Sequence, residues 1–219
     1  MQRMKTFITG WFAAVVLALV SMALPAHAQL AVGRDYTLIE PARGTDDPGR
    51  IEVVEFFSYA CSHCNEFHPH VSKWASKLPG DVTFKRVPVS FNRPQWANLA
   101  RLYYALEATG DLAKLDGEVF HALHDKGLRL IDDHSIQEWA VSQGVDAKKF
   151  SDAYNSFGVV SKTKRADQMA QNFRIRGVPA LAVDGRYLVV GQSVKSTAEL
   201  LPLTDKIIDK VRAERKLKK

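Results

Sequence analysis

The chain has 219 residues, 46% of them hydrophobic, two cysteines and a formal net charge of +6. This length suffices for one sizeable core, and two cysteines exclude a disulfide-stapled scaffold. The basic excess gathers near the C-terminus, where Lys206, Lys210, Arg212, Arg215, Lys216, Lys218 and Lys219 outnumber Asp205, Asp209 and Glu214; without interleaved aromatics it reads as a solvated helix end rather than a nucleic-acid surface.

In chain order, the first feature is an address. Arg3 and Lys5 precede an apolar run from Phe7 to Leu24, and Ala26-His27-Ala28 has the small-x-small form of a signal-peptidase site. Cleavage after Ala28 leaves 191 residues and a net charge of +4, since the segment carries Arg3 and Lys5 and no acid. A retained membrane anchor is the competing reading, disfavoured by Thr9, Gly10, Ser21 and Pro25. The nearly continuous apolar stretch Arg50 to Ala60 then predicts a central buried strand. A helix follows from Cys61 to Lys77 with Phe67, Val71, Trp74 and Leu78 on one face. The next strand, Val82 to Phe91, carries Pro88, which suits an edge or an irregularity.

Helical spacing dominates the middle. Trp96, Leu99, Tyr103 and Leu106 mark one helix, and Leu112, Leu115, Val119 and Leu123 a second. A capping box at Ser135-Ile136-Gln137-Glu138 opens a third, Phe150, Tyr154 and Phe157 mark a fourth, and the fifth runs from Val159 to Phe173. Strand patterns return at Ala180 to Val190, joined by Asp184-Gly185, a favoured type I′ hairpin pair. A final helix opens at Ser196-Thr197-Ala198-Glu199 and is kinked or restarted by Pro202. The order predicts one α/β sheet domain interrupted by a helical insertion.

The two cysteines, Cys61 and Cys64, fall where the central strand hands over to a helix. A structural disulfide there closes almost no loop and gains little chain entropy. A metal site could draw on Cys61, His63, Cys64, His68 and His70, but Pro69 lies between the last two and no second C-x-x-C is present, so surface helix is the plainer reading of His68 and His70. A redox pair uses the position best: unpaired N–H groups and the positive end of the helix dipole favour a Cys61 thiolate, Cys64 lies one turn on, and His63 adds a donor and, when protonated, a charge. A fall in the Cys61 pKa from ~8.5 to ~4.5 would stabilise the reduced pair by about 3.4 kcal/mol at pH 7, or roughly 70 mV. Glu55 interrupts the apolar strand, where an acid belongs buried and engaged, as a proton acceptor that helps Cys64 ionise, or else exposed.

"FFSYACSHC" followed at a distance by "RGVPA" resembles the DsbA family of exported thiol oxidases, and the order of elements fits across the whole exported chain. The resemblance implies a thioredoxin-like fold with an inserted all-helical domain: signal at residues 1–28, thioredoxin-like domain at 29–91 and 167–219, insert at 92–166. It implies Cys61 as the cysteine that forms the mixed disulfide, Cys64 as its shielded partner, and His63 as the stabiliser of the thiolate. Val178-Pro179 matches the loop whose cis proline faces the pair, with Val178 able to bind substrate backbone. Glu55 matches a buried acid beneath the site and Lys85 a nearby basic residue. The family often has proline where Ser62 stands; Ser62 keeps a backbone N–H and adds a hydroxyl, either able to donate to the thiolate. The implied protein is a periplasmic monomer with no cofactor or metal beyond its disulfide, oxidising unfolded exported proteins and reoxidised by a DsbB-like quinone-linked membrane protein. Isomerase or reductase chemistry is the nearer alternative, although the residues before Arg50 leave no room for the dimerisation domain usual in exported isomerases; a copper- or zinc-handling protein is the more distant one.

Overall fold

A computed structural model describes residues 30–192 and 194–217. The export signal expected at residues 1–28 lies outside the described residues, as do Lys218 and Lys219. Five strands, β1 (Tyr36–Leu38), β2 (Ile51–Phe57), β3 (Val82–Pro88), β4 (Ala180–Val183) and β5 (Tyr187–Val189), form one sheet in the order β1-β5-β4-β2-β3. All seven residues of β2 are buried, Glu52 and Glu55 among them, as suits a largely apolar strand paired on both sides. β2 and β3 run parallel, joined across one face by helix α1 (Ser62–Ala75), and the other pairings are antiparallel. Pro88 closes β3 at the sheet edge, where its missing N–H breaks no ladder. β1, unforeseen in the sequence, is three residues long and adds to the hairpin strand β5.

The β4–β5 turn is of the expected kind: Asp184 and Gly185 have φ of 57° and 63°. A Cβ on Gly185 would also come within 2.1 Å of the Arg43 carbonyl oxygen, so glycine is required twice over.

Between β3 and β4 the chain is helical: α2 (Pro94–Thr109), α3 (Leu112–Phe120) continued by a π turn (His121–Asp125), α4 (Asp133–Ser142), α5 (Ala147–Tyr154) and α6 (Phe157–Asn172). The expected domain boundary at 166/167 falls inside the continuous helix α6. Pro94 opens α2 and Gly110, at φ 84°, ends it. The cap of α4 is Asp132, not Ser135: the Asp132 carboxylate accepts from the Ser135 N–H at 2.9 Å and the Ser135 hydroxyl accepts from the Asp132 N–H at 3.3 Å. An aspartate three residues upstream made the stronger box with Ser135 as its reciprocal member. Phe157 does not continue the face of Phe150 and Tyr154; Ser156 caps a new helix, leaving Phe157 87% exposed at its start. Ser196 caps nothing with its side chain. The Glu199 carboxylate accepts instead from the Lys195 N–H, and after a short 3-10 turn α7 (Leu200–Leu217) restarts with Pro202 in its first turn, where no N–H is needed.

One apolar cluster runs from β2 (Val54, Phe56, Phe57) through α2 (Leu102, Tyr103, Leu106) to Phe150 and Tyr154. The sheet and the helical segment therefore share a core, and the strand that leads to Cys61 is anchored in it.

Candidate active site

Cys61 is the residue before α1, in extended conformation, with its N–H donating to the Ser58 carbonyl at 3.1 Å. Its sulfur takes the place of the usual capping oxygen and accepts from the Cys64 N–H at 3.4 Å. The two cysteines carry free thiols, Cys61 partly exposed and Cys64 fully buried. The pair is therefore asymmetric. Hydrogen bonding from the Cys64 thiol, then the backbone N–H groups of Cys64 and His63 and the charge of His63, lower the Cys61 pKa to about 6 against the opposing effect of burial. Burial, the hydrogen bond to Cys61 and the nearby Cys61 and Glu55 charges push the Cys64 thiol far above its usual range. His63 is largely exposed, its Nδ1 3.4 Å from Glu66 Oε2. Ser62 is exposed beside it.

Facing the pair is the loop before β4. The Val178–Pro179 bond is cis, and the Cys61 thiol donates to the Val178 carbonyl at 3.3 Å. Pro179 borders a groove of about 780 Å³ that extends along β1 and β5 to the start of α7.

Beneath the pair is a charged cluster enclosed by aromatic rings. Glu55, fully buried on β2, accepts from Arg86 Nε at 2.7 Å, and Arg86 Nη1 donates to Asp116 at 2.5 Å. The Arg86 guanidinium lies 3.8 Å from the centre of the Phe57 ring, a favourable stack for a desolvated cation. Burial raises the Glu55 pKa and Arg86 opposes it; Arg86 itself stays charged, because Glu55 and Asp116 outweigh its desolvation. Asp116 belongs to α3 and also accepts from the Tyr59 hydroxyl at 2.6 Å. The π turn reaches the same residue: His124 Nε2 is 2.7 Å from the Tyr59 carbonyl oxygen. Tyr59, two residues before Cys61, is thus held at both ends by the helical segment.

The structure brings Ser62, His63, Cys61, Cys64, Val178 and Pro179 to one place, with Glu55 below. Lys85 is elsewhere. Parallel register puts Arg86 opposite Glu55 and Lys85 opposite Val54, so Lys85 emerges on the other face and pairs with Asp46 at 2.7 Å and Glu52 at 3.0 Å. The basic residue beside Glu55 is Arg86. His68 is not surface helix: its side chain is 16% exposed, its ring 4.9 Å from the Phe120 ring and its Nδ1 3.8 Å from Asp116. Cys64, Phe67, His68 and Val71 share one helical stripe, a spacing that could have placed it. His70 is exposed. Among the described residues no three His, Cys, Asp or Glu side chains are grouped to hold a metal ion. Sequence reading also missed Asp116, whose signal was an acid on the face of Leu112 and Phe120.

Residues 52–201 match the DSBA-like thioredoxin domain family. A thiol:disulfide interchange protein DsbA of Bordetella parapertussis is 42% identical over 184 residues, covering 84% of this chain and 87% of that relative. The namesake from Pseudomonas syringae is 33% identical over 207 residues, covering 94% and 96%. The crystal structure of Pseudomonas aeruginosa DsbA superposes with a TM-score of 0.80 at 33% identity, covering 85% of this chain and 97% of that one. With this fold around a cysteine pair in which one sulfur is partly exposed at a helix start and the other buried, the chain belongs to the DSBA-like thioredoxin family and is a DsbA-type thiol:disulfide oxidoreductase.

Proposed function

We propose that the protein is an exported dithiol oxidase that donates a Cys61–Cys64 disulfide to newly exported, unfolded polypeptides in the periplasm, after removal of the signal at residues 1–28. A substrate thiolate attacks the Cys61 sulfur, the Cys61–Cys64 bond breaks, and Cys64 leaves with the electron pair and takes a proton. A second substrate thiolate then attacks the substrate sulfur of the mixed disulfide, releasing Cys61 as a thiolate. The substrate has lost two electrons and the pair has gained them. The observation that carries this reading is the asymmetry of the pair, with a partly exposed Cys61 sulfur at the start of α1 accepting from the Cys64 N–H at 3.4 Å and Cys64 fully buried: that setting lowers the Cys61 pKa to about 6, and a stable thiolate is a good leaving group, so release of oxidised substrate is favoured.

Glu55 is read as the acceptor and donor of the Cys64 proton, supported by its burial, its raised pKa and its charge acting on that thiol. His63 and Ser62 flank the attacking substrate, and the backbone of Val178 pairs with its extended chain beside Pro179. Residues 92–166 are read as a helical domain capping the site. The protein acts as a monomer without cofactor or metal, and a DsbB-like membrane protein passes the two electrons to quinone.

The test is direct. Cys64→Ala should accumulate a Cys61-linked mixed disulfide with a reduced, unfolded protein, and Cys61→Ala should not. Equilibration with glutathione should show a potential well above that of a cytosolic thioredoxin, roughly −270 mV. A pair as reducing as that would overturn the donor role.

A further inference from the structure

The groove beside Pro179 has a distinctive charge pattern. Its floor is apolar, with Ile39, Phe173 and Ile175 buried and Leu188 alongside. Its rim carries Arg174, Arg176 and Lys195, all exposed, and among the described residues no carboxylate lines it. Among the described residues none of these three side chains makes an ion pair. In the groove between β3 and α6, by comparison, acids also line the walls: Lys85 pairs with Asp46, and Lys162 with Glu107 at 2.6 Å, although Arg165 there, like the three rim cations, makes no ion pair among the described residues. The acid nearest the rim in sequence, Glu199, turns its carboxylate to the Lys195 backbone N–H. Arg174 and Arg176 stand on either side of the buried Ile175 and lead directly into Gly177-Val178-Pro179.

Resting on the proposed oxidase reading, we infer that this groove selects extended polypeptide segments carrying acidic side chains around an apolar residue, next to the cysteine to be oxidised. The apolar floor takes the central side chain, and three cations that make no ion pair among the described residues attract carboxylates on its flanks. Attraction of this kind acts on encounter and orientation, so it appears in kcat/KM and weakens with salt. A polypeptide fits better than a lipid surface, because the groove is concave and is bordered by Gly177 and Pro179, on either side of Val178, whose carbonyl is 3.3 Å from the Cys61 sulfur, so an occupant running past Pro179 brings a thiol towards Cys61.

The experiment compares two blocked dithiol peptides of one sequence, with Asp and Glu flanking the cysteines in one and Asn and Gln in the other. Oxidation by the oxidised protein is followed at low and high ionic strength. The acidic peptide should be preferred about tenfold in kcat/KM at low salt, with the preference falling towards one at ~0.5 M salt. R174E/R176E should invert the ratio, and K195E should reduce it. Taking the ratio cancels changes in Cys61 reactivity or in the fraction folded. Equal rates for the two peptides with the wild-type protein, or an unchanged ratio in the variants, would overturn acidic selection while leaving the oxidase reading intact. Oxidation of neither peptide would overturn the oxidase reading and the inference with it. Anionic phosphatidylglycerol vesicles binding through the same three residues, with no peptide preference, would assign the rim to membranes instead.

Discussion

Changing pH should alter the redox equilibrium of the pair in a way fixed by its two unequal thiols. Reduced Cys61 ionises at about pH 6 while Cys64 stays protonated, so reduction takes up two protons below that pH and one above it. In a two-electron couple each proton contributes about 30 mV per pH unit. The potential should therefore fall by ~59 mV per unit below pH ~6 and ~30 mV per unit above it. Glutathione, with a thiol pKa near ~8.5, keeps the steeper slope up to about pH 8. The constant for oxidation of glutathione should thus be flat up to pH ~6 and then rise by as much as tenfold per unit. At pH 7 an unscreened shift to about 6 gives a factor of roughly ten, about 1.4 kcal/mol or ~30 mV. Cys61 is half-exposed, so solvent screening trims this to between about threefold and tenfold. Equilibration at fixed glutathione ratios between pH 5 and 8, read by thiol alkylation, measures the curve, and thiolate absorbance near 240 nm locates its break. A constant that stays flat across this range, or a thiolate that titrates only above about pH 8, would refute the reasoning.

The order of influences on Cys61 predicts that Cys64→Ala raises its thiolate midpoint more than His63→Ala does, because the Cys64 thiol is the leading cause and the His63 charge the last; absorbance titration of the two variants compares them, and the reverse order would show the imidazole in control. Arg86→Met should destabilise the protein by about 3–5 kcal/mol, since it leaves the buried Glu55 without its cation; urea unfolding should show the midpoint falling at unchanged slope, and a loss below ~1 kcal/mol would mean that Glu55 simply takes up a proton. His124→Leu removes the bond to the Tyr59 carbonyl and should cost about 1 kcal/mol while raising the Cys61 midpoint, because the Ser58–Cys61 turn loses a constraint; unfolding and absorbance titration together read both effects.

Features written in local periodicity were legible in the sequence. The seven buried residues of β2, the α1 face of Phe67 and Val71 and the Asp184-Gly185 turn follow from spacing and turn chemistry alone. One cap was misplaced where residues of similar chemistry competed within one turn, Asp132 and Ser135, and at Ser196 the expected box did not close because Glu199 accepts from the Lys195 N–H instead. Pairings across the fold were not legible. Glu55 announced itself as an acid in an apolar strand, but its partner depended on strand register, and a shift of one residue separates Arg86 from Lys85. Asp116 and His124 sit on separate helical turns, and only the packing of the helices onto the sheet brings both to Tyr59.

That packing changes where control of the site is to be sought. Read as a motif, Cys61-Ser62-His63-Cys64 makes the two intervening side chains the natural tuners. In the folded protein His63 is largely exposed with Glu66 beside it, and the backbone donors to Cys61 are the N–H groups of His63 and Cys64. Ser62 occupies the first helical position, where proline costs no hydrogen bond, and the side-chain and backbone donors to the Cys61 sulfur among the described residues come from Cys64 and His63. The direction of those donors is set by the turn from Ser58 to Cys61, and this turn is held by Tyr59 between Asp116 and His124. A helical segment that only shielded the site would have no need to grip the residue two places before the reactive sulfur. This one does so at both the phenol and the carbonyl, and the His124→Leu titration reads whether that grip reaches the ionisation of Cys61.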